Sequence, residues 1–411
     1  MSSGLLLVLV VAAAYLAAHV AFEFLAKRFT IVSGAEYLVL GVLLGPEVSG
    51  LIGAGVLDSF GPFMMLAIGW MGAAIGTRLD LAAMLRIRAP FYQVAFLQSA
   101  LSLAVVAGVM VLLLSYALAL PYDAVVVPGL VLGCIAAASS LSGLGVLVRR
   151  RLQRRPLVRQ LQVASGMDAC IAIAAFGLLL CIAHPGPPGD VRPPTPTEWA
   201  VISVGIGCLG GALFHLFLAG ERNRDRLFIS LTGAITLASG AAAYVRLSPL
   251  VPALLIGAIL VNTTKNRHEI TQVIATVQRP LYFILLVFAG AAWQPTTRSS
   301  LIPILLFFVV RIVGKLGSAR IAARVSGMLP AVGPDWGRGL LGQGSLAVAI
   351  ALNYWTFDGS LLPNIVFTAA LVSVLLTDVL SARFIQAAIR RHDESTGAQL
   401  LSDADLPVGR L

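Results

Sequence analysis

The residue best placed to do chemistry in this sequence is Asp168, within the stretch GMDACIAIAAFG. It falls in an apolar run expected to be helical over 160–183, roughly 12 Å beyond the start of that helix at about 1.5 Å per residue. No basic residue stands three or four positions away, and so short a side chain does not snorkel to a membrane edge. Burial penalises the charged form, so this carboxylate must hold a proton, a metal cation or a positive side chain. Those three options are the ingredients of coupled exchange between a cation and a proton. Arg311 and Lys315 stand at i, i+4 in the run 299–319 and share one helix face. Two readings stay open for them: both snorkel toward the edge marked by Arg320, or one pairs with Asp168 when no cation is bound. Glu23 lies four residues before Lys27 and reads as an interfacial ion pair. Glu36 and Asp58 sit near span ends, and Asp378 lies deep in the last span, structural or a gate. His19 and His215 are lone histidines on apolar stretches and read as core residues.

The elements that must position these groups follow from composition. Of 411 residues, 58% are hydrophobic and 12% charged, with a mean hydropathy of +0.91. Apolar runs of roughly 17–25 residues recur along the chain, each long enough to cross a bilayer as a helix. They are too long, and alternate too little, for barrel strands. The expectation is an all-α, polytopic membrane bundle with spans near 4–26, 30–46, 56–76, 91–119, 124–148, 160–183, 199–220, 227–245, 248–263, 280–293, 299–319, 338–356 and 361–384. Gly4 to Ala26 is read as a retained span, since a basic leader region and cleavage site are lacking.

Loop charge orients the bundle. One side carries Lys27/Arg28, Arg78/Arg86/Arg88, the run from Arg149 to Arg159, Arg222/Arg224/Arg226, Lys265/Arg267/Arg279, Arg320/Arg324/Arg338 and Arg383/Arg390/Arg391. The other carries only Arg192, Arg246 and Arg298. The positive-inside rule makes the basic side cytoplasmic, with the N-terminus outside and the C-terminus inside. The net charge of +10 therefore sets topology and implies no nucleic-acid partner. Trp199, Trp293 and Trp355 fall at expected outer edges and Trp336 at an inner one. Cys134, Cys170, Cys181 and Cys208 lie inside apolar runs without ligand spacing and read as small core residues with free thiols. Spans 1–6 and 8–13, joined by span 7, begin on opposite sides, so any repeat between them is inverted. Residues 1–385 then form one membrane domain, 184–198 a Pro-rich outer loop, and 386–411 a short polar tail. GCIAAASSLSGLG, with Gly143, and GRGLLGQGSLAVAIALNY, with Gln343, Gly344 and Ser345, put helix-breaking composition at matching places in the two halves. Nothing resembles a nucleophile elbow, a P-loop or a metal-ligand cluster, which argues against a metabolic enzyme and implies no cofactor.

Several stretches together resemble the monovalent cation:proton antiporters of the sodium/hydrogen exchanger and potassium-efflux type. They are LVLGVLLGP, FMMLAIGWMGAAIGTRLDLAAMLR, SPLVPALLIGAILVN, PLYFILLVFAGAAW and RIVGKLGSARIAARVSG, in that order and covering nearly the full length. The resemblance puts the cation-binding aspartate at Asp168, the membrane lysine at Lys315, and the hydroxyl pair of the first broken helix at Ser139 and Ser140. It implies crossed broken helices, a core domain moving like an elevator against a dimer domain, and a homodimer. This chain departs at Met167, where the family has a second acid or an amide, at Leu141 in place of a proline, and at Gln343-Gly344-Ser345 in place of Arg-Gly-Glu. With one titratable carboxylate, the expected activity is electroneutral exchange of Na+ or K+ for H+ in a cell (inner) membrane. Two other readings stay open. One is a Na+- or H+-coupled organic-anion carrier of the same fold, with Lys315 and Arg311 on the anion. The other is a non-transporting membrane sensor on an antiporter scaffold.

Overall fold

The structure, a computed structural model, describes residues 34–141, 156–184, 194–218, 223–264, 266–357 and 361–404. Among these the regular elements are all helical: α1 (Ala35–Leu44), α2 (Ala54–Ser59), α3 (Gly61–Gly76), α4 (Leu81–Met84), α5 (Ala89–Leu118), α6 (Tyr122–Ala137), α7 (Pro156–Ile182) and α8 (Pro196–Leu218). They continue with α9 (Arg224–Tyr244), α10 (Leu250–Thr263), α11 (Arg267–Ala291), α12 (Arg298–Val325), α13 (Leu329–Val332), a 3-10 turn (Trp336–Leu340), α14 (Ser345–Trp355) and α15 (Leu361–Ala404). Six of the described helices are long and apolar enough to cross a membrane by length and composition, and shorter apolar helices accompany them. Each expected span after the first has a helix at its place. The first span, with His19, Glu23 and Lys27, lies outside the described residues, as do Gly143 and 185–193 of the Pro-rich loop.

Three boundaries differ from expectation. α11 starts at Arg267, not near 280, because Ile270, Val273 and Ile274 bury one face of the more polar stretch and carry the helix through Pro280. α12 runs on to Val325, its last turns holding Ala319, Ala322 and Ala323 against the buried Trp336. Trp336 is thus no belt residue; its indole nitrogen donates to the Ala319 carbonyl at 3.1 Å. The polar tail is helical as far as Ala404, a direct continuation of α15. Among the thiols, Cys208 is exposed on the outside of α8 and not in the core.

The helices pack as two groups. In the first, α3 packs on α10, α10 on α8, α11 on α1, and α9 on α3. In the second, α5 lies against α6, α7 and α12, and α15 against α12 and α14. Within the first group the crossings are glycine contacts: a Cβ on Gly72 or Gly76 would strike the backbone of Leu250 or Leu254, and one on Gly41 the backbone of Val287. Without a hydrophobic drive between helices in lipid, such close backbone approach is what holds them together.

The second group contains two interruptions. α6 ends at Ala137, after which Ala138–Leu141 run without helix. The 3-10 turn ends at Leu340, and Leu341–Gly344 likewise lack helix before α14 begins. The two segments cross: the Ser140 amide donates to the Gly342 carbonyl at 2.8 Å, and the Ser139 hydroxyl to the Leu340 carbonyl at 2.8 Å.

Candidate functional site

Asp168 sits on α7, roughly 18 Å from its start at Pro156 at about 1.5 Å per residue. It is fully buried, and so is Lys315 on α12. The Lys315 ammonium donates to Asp168 Oδ2 at 2.8 Å and to the Ala137 carbonyl, the last of α6, at 2.6 Å. Neither Arg311 nor Lys315 snorkels: both are completely buried. Arg311, one turn earlier on α12, donates from Nη1 to the Leu341 carbonyl at 2.8 Å. One helix therefore sends a cation to each interrupted segment.

A third residue, missed from sequence, completes the pair. Gln98 on α5 is fully buried, and the amide orientation that satisfies both its ends puts Nε2 3.1 Å from Asp168 Oδ1 and Oε1 3.3 Å from Lys315 Nζ. All three ammonium protons then have acceptors, and both carboxylate oxygens have donors. The available signal was an amide in the middle of an apolar span, which a search confined to ionisable residues passes over.

The remaining expected residues hold the crossing. The Ser139 hydroxyl is turned to Leu340 and its carbonyl accepts from the Ser165 hydroxyl at 2.9 Å, one turn before Asp168. No hydrogen bond joins Ser139 to the Asp168 carboxylate. Gln343 donates to the Ile135 carbonyl at 3.2 Å and accepts from the Ser373 hydroxyl at 2.7 Å, tying the second break to α6 and α15. Gly344 passes so close to Ser140 that an added Cβ would lie 2.6 Å from its Cβ and Oγ. Ser345 opens α14 and Met167 is half-buried beside Asp168. Asp58 is exposed on the short helix α2 and Glu36 half-buried near the start of α1; neither joins the cluster.

A cavity of about 680 Å³ lies beside this cluster, lined by its neighbours on α7 but by none of Asp168, Lys315 and Gln98. Ser140, Ser165, Gly166 and Met167 line it together with Arg78, Tyr92 and Arg159.

A buried lysine–aspartate pair beside two crossed helix breaks invites comparison with solved transporters. The chain superposes on the structure of the sodium proton antiporter MjNhaP1 from Methanocaldococcus jannaschii at pH 8 with a TM-score of 0.66. The match covers 94% of this chain and 98% of that one, at 15% sequence identity. The fold is that of a sodium/proton antiporter. No protein-family model and no curated protein matches the sequence. The likeness is therefore one of architecture: an integral, multi-pass helical membrane protein whose interrupted helices cross beside Asp168.

Proposed function

We propose that the protein exchanges a small monovalent cation, Na+ or K+, for a proton by competition at Asp168. The observation that carries this reading is the fully buried Lys315–Asp168 pair, 2.8 Å long, at the end of α6. The ammonium occupies the place on the carboxylate that an entering cation would take. Asp168 alternately holds Lys315, a proton or the cation, and holding one guest at a time couples the two fluxes. When the cation takes Oδ2, the ammonium keeps its acceptor at Ala137, where the C-terminal helix dipole favours positive charge. Unwound carbonyls and the hydroxyl of Ser139 or Ser140 supply further oxygen ligands. The 680 Å³ cavity, lined by the neighbours Ser165, Gly166 and Met167 and by basic residues, supports access of ions and water from the cytoplasmic side, with a local opening needed to bring them to the buried Asp168.

The packing of the helices into two groups supports movement of α5–α7 with α12–α15 against α1, α3 and α8–α11, in an elevator motion with the latter group forming a homodimer in a cell membrane. Each half of the chain contributes one broken helix, as inverted repeats would. One proton for one cation moves no net charge, so the membrane potential, about 2.3 kcal/mol per charge per 100 mV, adds no driving force.

In proteoliposomes a sodium or potassium gradient is expected to drive proton movement, and Asp168→Asn to abolish it. Exchange that survives the substitution overturns the assignment. A second reading, an organic-anion carrier coupled to Na+ or H+, draws on the two arginines lining the cavity and on the buried Arg311. Uptake of a carboxylate without simple cation exchange would select it.

A further inference from the structure

Gln98 touches both members of the ion pair, yet satisfying them is only half of what its amide offers. Nε2 donates to Asp168 Oδ1 at 3.1 Å, on the oxygen that Lys315 does not use, while Oε1 accepts from the ammonium itself at 3.3 Å. A cation arriving at Oδ2 in place of the ammonium therefore meets a second oxygen already aimed at that spot. Amide carbonyl oxygens are neutral, strongly dipolar ligands of the kind that replace the water around a monovalent cation. The next turn of α5 adds a second observation. Ser102, at i+4 on the same face as Gln98, is fully buried, and its hydroxyl has no hydrogen-bond partner among the described residues. A buried hydroxyl left without a partner is costly, so this face of α5 holds more polar capacity than the closed ion pair uses.

We propose that Gln98 is a ligand of the carried cation and helps set its selectivity: Oε1 passes from the Lys315 ammonium to the cation, while Nε2 holds the Asp168 carboxylate in place throughout. This inference rests on the antiport reading above and adds a named ligand to it. A purely structural Gln98 would support folding and nothing else, and its replacement would scale the maximal rate without changing which cation is preferred.

The full-length protein, reconstituted, is assayed with lithium, sodium, potassium and rubidium chlorides, in wild type, Asp168→Asn, Gln98→Met and Gln98→Glu. Methionine keeps the length of the side chain and removes both polar ends; glutamate keeps an oxygen where Oε1 lies. Gln98→Met is expected to raise KM for the preferred cation about 10-fold or more, the scale of losing one polar contact to a charge. Its maximal rate should change far less, and the order of preference among the four cations should flatten. Gln98→Glu is expected to keep or lower KM and to make the rate sensitive to membrane potential, since the site then carries a second carboxylate. Wild-type exchange that depends on Asp168, together with unchanged KM and unchanged cation order in Gln98→Met, overturns the ligand role and leaves the antiport reading standing. A Gln98→Glu protein whose KM rises with that of Gln98→Met also overturns it, because an oxygen at that point would then be of no consequence. Absence of any Asp168-dependent exchange in wild type overturns the antiport reading, and the inference with it. Should Gln98→Met fail to elute as a folded species, the glutamate variant decides alone.

Discussion

Replacing Lys315 with methionine separates the charge of the buried pair from its packing. In the native protein the ammonium meets Asp168 Oδ2 at 2.8 Å and the Ala137 carbonyl at 2.6 Å, with both charged side chains inaccessible to water. Removing it leaves a carboxylate whose only remaining donor among the described residues is Gln98, and breaking a buried pair in this way costs about 3–5 kcal/mol. Neutralising both members, in Asp168→Asn/Lys315→Met, removes the stranded charge, and such double replacements come out nearly neutral. The double-mutant cycle should therefore give a coupling of about 3 kcal/mol or more. Sodium or potassium should stabilise the single variant, and not the double, by occupying the vacated place, by about 2.7 kcal/mol at a hundred times the dissociation constant. Thermal unfolding of purified protein, with and without each cation, reads all of these. A Lys315→Met protein as stable as the double variant, and indifferent to cations, would refute the reasoning.

Three further outcomes are expected. Gly344→Ala should destabilise the crossing by about 1–3 kcal/mol and slow exchange, because its Cβ would meet Ser140 at 2.6 Å; adding Ser140→Gly should relieve both effects. Gln343→Leu leaves the Ile135 carbonyl and the Ser373 hydroxyl unsatisfied at about 1–3 kcal/mol each, lowering the unfolding temperature with little change in cation KM. An imposed membrane potential should leave the exchange rate of the wild-type protein unchanged, as measured with a potassium-selective ionophore.

Much of this architecture could be read before any coordinates, for a physical reason. Lipid forces every span to close its own backbone hydrogen bonds, so apolar length alone locates helices. Asp168 was conspicuous because a charge in oil is costly, and that same cost drew attention to Lys315. Their meeting across 147 positions was not legible from spacing; i, i+4 geometry left snorkelling and pairing equally open for Arg311 and Lys315, and burial decided it. Gln98 was hidden because an uncharged amide in a span carries a weaker penalty and no charge pattern points to it. The resemblance puts a hydroxyl pair at Ser139 and Ser140, whereas the Ser139 hydroxyl serves the crossing, donating to Leu340. The start of α11 was misjudged because Pro280 reads as a helix start, yet the stretch before it buries enough of one face to stay helical.

In the proposed cycle, the stoichiometry depends on what becomes of the proton on Lys315. A core holding protonated Asp168 and charged Lys315 carries the same net charge as one holding ionised Asp168, a bound cation and charged Lys315. Shuttling between those two states would move no charge, and the proposed exchange would be one for one. Were Lys315 to lose its proton as the cation enters, two protons would answer one cation and the rate would follow voltage. The geometry favours retention. The ammonium is anchored at 2.6 Å on the last carbonyl of α6, where a helix end carries about half a unit of negative charge, and in the proposed cycle it keeps that anchor when Asp168 turns to the cation. Arginine at the same position tests the point, since a guanidinium does not give up its proton in a protein. If Lys315 keeps its charge, a functional Lys315→Arg protein is as indifferent to voltage as wild type. A wild-type rate that follows voltage, made indifferent by arginine, would instead identify Lys315 as a second proton carrier.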